Sequence, residues 1–189
     1  MTLSRYILIG IGLVALVAIF IFNRLVILRQ AWTRAFADID VQLKQRQDLV
    51  PNLVEAVKGY AAHESAVFTA VAQARASAMQ ATGVRDKSAA EGALSGALAN
   101  LFAVAENYPQ LKASDNFLKL QDALSDLENK IAAARRFLNS AVAEYNAATQ
   151  QFPAVLLAGP LGFKPAQMFE LDAAERLASK DAPKVSLGG

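Results

Sequence analysis

The sequence predicts an all-α protein: an N-terminal transmembrane helix followed by an antiparallel helical bundle of long helices. Three observations lead there. Residues 6–22, YILIGIGLVALVAIFIF, carry no charge and no strongly polar side chain. Beyond them apolar residues recur at steps of three and four, the spacing of one helix face. The composition is 54% hydrophobic, much of it alanine, with 19% charged residues, which favours long helices packed through small side chains.

The apolar run comes first because the rest hangs from it. At about 1.5 Å per residue it spans roughly 25 Å, slightly short of the ~30 Å hydrocarbon core. Leu3 and residues 25–28 can extend it, with Arg5 and Arg24 snorkelling outward. The membrane-anchoring side chains are Tyr6, Ile7, Leu8, Ile9, Leu13, Val14, Leu16, Val17, Ile19, Phe20, Ile21 and Phe22, and the lipid bilayer is the first predicted partner. A buried core helix is the soluble alternative, and a cleaved signal peptide is the other rival. Against the latter, only Arg5 precedes the run, no small-x-small site follows Phe22, and the chain continues as FNRLVILRQ. The absence of cysteine excludes a lipoprotein anchor. Arg24, Arg29 and Arg34 follow the span and Arg5 precedes it, so the positive-inside rule favours a cytoplasmic C-terminal domain.

The remaining ~165 residues suffice for one domain. A net charge of +2 gives no argument for nucleic acid. Zero cysteines remove disulfide and thiolate chemistry, and a single histidine, His63, argues against a protein-only zinc site. No cofactor is expected.

Taken in order, the chain divides into residues 1–23 (tail and span), 24–153 (helical bundle), 154–171 (an apolar segment broken by proline and glycine) and 172–189 (a polar, partly disordered tail). The first seam runs Leu25, Leu28, Trp32, Phe36, Ile39, Leu43, Arg46, Val50, Leu53, Val57, Tyr60, Glu64, Val67, Val71, Ala74 and Ala78. It is heptad-like and crosses Pro51 in phase, so one long helix is expected over 24–81, kinked near 48–51, although two helices with Asp48 as N-cap are the alternative. Trp32 and Arg34 are expected to anchor at the membrane interface. Gly83 suits a left-handed turn before a helix over 87–107. Gly92 and Gly96 on that helix are expected to allow close helix approach. Tyr108-Pro109 stops it. A last long helix starts near Ser114 or Asp115 and ends at Phe152-Pro153, with the most regular seam of the chain: Phe117, Leu120, Leu124, Leu127, Ile131, Ala134, Leu138, Ala141, Tyr145, Ala148 and Phe152. Residues 154–169 are too short and broken to span a bilayer; they cap the bundle or lie on the membrane surface, where Leu156, Leu157, Leu161 and Phe163 could insert. A short polar helix is expected after Leu171.

No catalytic constellation emerges. His63-Glu64 resembles half of a zincin motif without a second histidine, and Gly159–Gly162, GPLG, lacks the Lys-Ser/Thr of a phosphate loop. His63 has no nucleophile elbow near it. The informative residues are polar ones on or beside apolar seams: Arg46, Glu64, Arg135, Asn139 and Asn146. They read as buried polar layers that fix helix register, or as a polar groove for a partner.

The polar positions carry a family resemblance. Residues 39–54, IDVQLKQRQDLVPNLV, with Val57-Lys58-Gly59-Tyr60 and His63-Glu64, resemble the signature of the LemA family of bacterial membrane proteins. Residues 106–112, ENYPQLK, with Asn116-Phe117, Glu128-Asn129-Lys130-Ile131, residues 134–139, Tyr145-Asn146, Phe152-Pro153 and Gly162-Phe163 extend the likeness over roughly residues 20–170. Leu138 departs from it, because relatives usually carry tyrosine there. The resemblance implies an N-terminal helix in the bacterial inner (plasma) membrane and a mainly cytoplasmic antiparallel bundle. It implies no enzymatic role, and some relatives are associated with the organisation of internal membranes.

These readings converge on a non-enzymatic, single-pass inner-membrane scaffold or assembly protein whose helical domain self-associates as a homo-oligomer. The alternatives are an accessory subunit that binds a membrane protease, transporter or signalling protein, and a membrane-bound hydrolase, for which a nucleophile and base are wanting.

Overall fold

The structure, a computed structural model, describes residues 2–170. The polar helix expected after Leu171 and the tail 172–189 lie outside the described residues. The helices are α1 (Thr2–Lys58), α2 (Ser65–Gln80), α3 (Gly83–Ala105), α4 (Pro109–Lys112), α5 (Asp115–Gln150) and α6 (Val155–Ala158). No strand occurs among the described residues. The described residues form two compact units: 2–39 with 134–168, and 40–133 with 169–170. Helices α1 and α5 each contribute to both.

The second unit is the bundle. One core gathers Val50, Leu53 and Val57 of α1, Val71 and Ala78 of α2, Leu94, Leu98, Leu101 and Ala105 of α3, Leu111 of α4, and Phe117 and Leu124 of α5. Cross-contacts give the directions. Asp40 meets Lys87 while Arg46 meets Glu91, so α1 and α3 run the same way. The turn at 59–64 reverses the chain, bringing Arg75 of α2 back to Gln47. Phe102 packs on Phe117 with ring centroids 6.2 Å apart, and Arg46 joins Ser95 to Glu128, so α5 opposes α3. Neighbours in sequence therefore alternate up and down, as short connections dictate. Helix α3 is long and apolar enough to cross a membrane by length and composition, but its apolar side chains fill this core.

Pro51 lies inside α1 without ending it. A proline has no N–H, so the carbonyl four residues back loses its helical donor. That carbonyl belongs to Gln47, and the Arg75 Nε donates to it at 2.6 Å. The long-range arginine replaces the missing backbone bond, and the alternative of two helices divided at Asp48 is set aside.

The helix expected over 24–81 does not run its full length. It ends at Lys58 and resumes at Ser65. The apolar phase carried across residues 59–64 by coincidence: Tyr60 is exposed and Glu64 only half-buried. Gly59 sits at the break, with its N–H donating to Glu55 at 3.2 Å. Gly83 takes φ +77°, the left-handed conformation glycine adopts without steric cost, and helix α3 begins there rather than at 87. Gly96 is exposed, and a Cβ there would meet nothing within 4 Å, so close helix approach is not its role.

The first unit contains the apolar run and a small core. From Tyr6 to Phe20 the large apolar side chains are exposed. An all-round apolar helix surface uncovered by protein is what a bilayer core accepts. At its end Ile21 and Leu25 turn inward onto Tyr145, Ala148, Ala158 and Phe163. Ile21, assigned above to lipid, is thus packed by protein. Trp32, expected at the membrane interface, is half-buried and packs on Tyr145 with ring centroids 6.3 Å apart. Arg34 is exposed and donates to the Gln30 carbonyl at 3.2 Å.

Candidate functional site

Two polar constructions stand out, one in each unit. In the bundle, helix period brings Arg46 onto the buried seam of α1 between Leu43 and Val50. Its side chain is 2% exposed. The Nη2 group donates to the Glu91 carboxylate and to the Glu91 carbonyl, the latter at 3.2 Å. Nη1 donates to Glu128 at 2.6 Å and to the Ser95 hydroxyl at 3.0 Å. Gln47 donates to the other Glu91 oxygen at 2.5 Å. Burial opposes the Arg46 charge, and the Glu128 and Glu91 carboxylates more than offset it, holding its pKa above the ordinary arginine value. Only Nε of the guanidinium lacks a partner among the described residues. The planar fork thus ties three helices in one register.

In the first unit, residues 163–166 are held against α5. Asn146 reads the Ala166 backbone in both directions: Nδ2 donates to its carbonyl at 2.9 Å, and Oδ1 accepts from its N–H at 2.8 Å. The Tyr145 hydroxyl donates to the Lys164 carbonyl at 2.9 Å. Burial raises the Tyr145 pKa, with Arg29 pulling the other way. Phe163 is fixed from below. Its N–H bonds to the Ala158 carbonyl and that of Gly162 to Gly159, at 2.9 and 3.0 Å, with Gly162 at φ +76°. This is a Schellman closure, and Phe163 packs on the same core as Ala158. The ring also meets Phe22 edge-on at 5.6 Å and carries the Arg29 guanidinium at 4.9 Å.

The five polar residues singled out from sequence therefore separate. Arg46 anchors the buried network. Glu64 stands half-buried in the turn before α2, away from any such layer in the seam. Arg135, Asn139 and Asn146 belong to the first unit, each half-buried. Of the four candidate membrane-surface residues, Leu156 and Leu161 are exposed, Leu157 is half-buried, and Phe163 is 3% exposed. Phe163 is a core residue, because the Schellman turn aims it inward. Sequence reasoning missed Glu91, Glu128, Arg75 and Tyr145 as polar partners. Glu91 had a visible signal: it lies three residues before Leu94, in phase with Leu98, Leu101 and Ala105. Arg75 had none, since its partner is an orphaned carbonyl.

Glu91 is buried against Arg46 and Gln47, Glu128 is paired with Arg46 at the edge of the network, and no nucleophile lies among these residues. Among the described residues no three His, Cys, Asp or Glu side chains group to hold a metal. A shallow groove of about 420 Å³ lies beside the network, lined by Asp40, Val41, Lys44, Gln45, Met79 and Lys87 among others.

Against known proteins, the LemA family model matches residues 35–187. The chain is 26% identical to the magnetosome protein MamQ of Magnetospirillum gryphiswaldense over 159 residues, 70% of this chain and 58% of the relative. It is 25% identical to two MamQ proteins of Paramagnetospirillum magneticum over 175 residues, 79% of this chain and 64% of theirs. The chain thus spans about three fifths of the length of these relatives. The family match covers most of the sequence, including Arg46, Glu91, Pro51 and Asn146, and with the apolar run before it describes a membrane-associated helical protein: the chain belongs to the LemA family.

Proposed function

We propose that this protein is a non-enzymatic, single-pass scaffold of the bacterial inner membrane that self-associates through its helical domain, with that domain in the cytoplasm. The observation that carries the reading is α1. One 57-residue helix supplies both the uncovered apolar surface of residues 6–20 and the bundle positions Val50, Leu53 and Val57, so span and domain share one element. The buried polar groups serve register rather than chemistry, and the relatives named for the magnetosome agree with a role in membrane organisation. The positive flank Arg24, Arg29 and Arg34 supports a cytoplasmic domain.

In-membrane crosslinking tests the reading. The chain has no cysteine, so a single Phe137→Cys variant, at an apolar site 63% exposed on α5, reports cleanly. A ladder of self-adducts is the expected outcome. A single heterologous band would favour the second reading, an accessory subunit that offers the groove beside Asp40 and Lys87 to a membrane-protein partner.

A further inference from the structure

We propose that a crevice at the cytoplasmic end of the span holds one anionic phospholipid, an inference that rests on reading residues 6–22 as the membrane span. The crevice encloses about 220 Å³ between α1 and the turn joining α5 to α6. Val17, Phe20 and Arg24 line one side, and Gln151, Phe152 and Ala154 the other. The three α1 residues fall at i, i+3 and i+7, on one helix face. From Val17 to Arg24 the helix advances roughly 10 Å, the step from acyl chain to headgroup. The lining changes in the same sense, from apolar Val17 and Phe20 to the guanidinium of Arg24 and the amide of Gln151.

The occupant follows from that gradient. A free anion would leave Val17 and Phe20 uncovered, and a neutral alkyl chain would leave Arg24 without a counter-charge. A phospholipid of net negative charge satisfies both, with its acyl chain against Val17, Phe20 and Phe152 and its phosphate, which no headgroup cation neutralises, on Arg24. Phe152 is 81% exposed and Leu156, one turn on, is 65% exposed. Aromatic and aliphatic side chains this bare, beside the end of a span, complete an apolar wall when lipid lies against them. The neighbouring Phe163 is engaged by Phe22 and Arg29, so Arg24 is the cation of the α1 face that the crevice offers to a phosphate.

The test uses the full chain in nanodiscs of phosphatidylcholine with a minority of phosphatidylglycerol. Native mass spectrometry counts the lipids that stay bound on release. Wild-type protein is expected to retain phosphatidylglycerol in preference to phosphatidylcholine. Arg24→Gln should weaken that retention about fivefold, as expected for one interfacial basic residue, and Arg24→Lys should restore most of it. Arg34→Gln, a cation further from the span, should change little, and Phe152→Ser should lower retention of both lipids. Equal retention in Arg24→Gln and wild type would overturn the proposal, as would an equal loss in Arg34→Gln, which means diffuse attraction. Displacement by inorganic phosphate would overturn it in favour of a simple anion site. Protein that never enters the nanodisc would overturn the span itself, a failure recognisable before any lipid is counted.

Discussion

Arg46 decides the bundle at the scale of single residues. Its removal leaves Glu91, 3% exposed, without its cation, and a buried carboxylate so stranded costs about 3–5 kcal/mol. Arg46→Ala is expected to lower the urea midpoint by that equivalent, while the pair Arg46→Met with Glu91→Leu recovers much of the loss. An unchanged midpoint in Arg46→Ala would remove the network from the stability account. The clamp on residues 164–166 makes a pH prediction. Tyr145 has a folded pKa above its ordinary value of 10.0. A raised pKa contributes stability that is fully present below the unfolded value and is lost as pH rises through the folded one. Stability is therefore expected to be insensitive to Tyr145 ionisation at neutral pH and to fall in the alkaline range above pH 10. Tyr145→Phe should be less stable at neutral pH by about 1 kcal/mol and lack that alkaline component; melting curves across the range check both. Arg46 was legible in the sequence because a charge on an apolar seam must be paired or destabilising. Its partners were harder to see, since which carboxylate a buried arginine meets depends on helix directions that no local pattern records.

Among the elements, α1 shows where periodicity succeeds and where it misleads. Leu25, Ile39, Leu43, Val50, Leu53 and Val57 are all buried as the seam requires. The same phase then ran on through residues 59–64, where the chain turns. Spacing alone could not separate a helix from a hairpin whose two arms happen to keep register, and Gly59 was the available warning. Pro51 offers the sharper test. If Arg75 replaces the missing donor to Gln47, then Arg75→Met should cost about 1–2 kcal/mol beside Pro51 and distinctly less in a Pro51→Ala background, where the substituted residue supplies its own backbone N–H. Additive effects in that double-mutant cycle would contradict the substitution of one donor for the other. Glycine effects should split by conformation. Gly83→Ala is expected to destabilise by roughly 1 kcal/mol, because φ +77° strains a Cβ-bearing residue. Gly96→Ala, on an exposed helix face with open space around it, should stabilise by up to about 1 kcal/mol. Equal responses in thermal melts would contradict the two assignments.

For the whole molecule, the apolar run of residues 6–22 was the most legible feature, and its large side chains from Tyr6 to Phe20 stay uncovered within the described residues. The fate of residues 154–169 was the least legible. Their glycine and proline content announces a broken chain, but only the left-handed Gly162 determines that Phe163 turns inward while Leu156 and Leu161 stay out. Topology adds a separate prediction. With the proposed orientation, a cytoplasmic reporter fused after Gly189 is active and a secreted phosphatase at the same point is silent; the reverse pattern would place the domain on the other side. The proposed assembly in the membrane is read by counting copies. The full chain, extracted at native expression with its surrounding lipid into polymer-bounded discs, can be weighed particle by particle. Discs holding several copies, with the number persisting on dilution, are the predicted result. Discs holding one copy each, at every expression level tried, would contradict it.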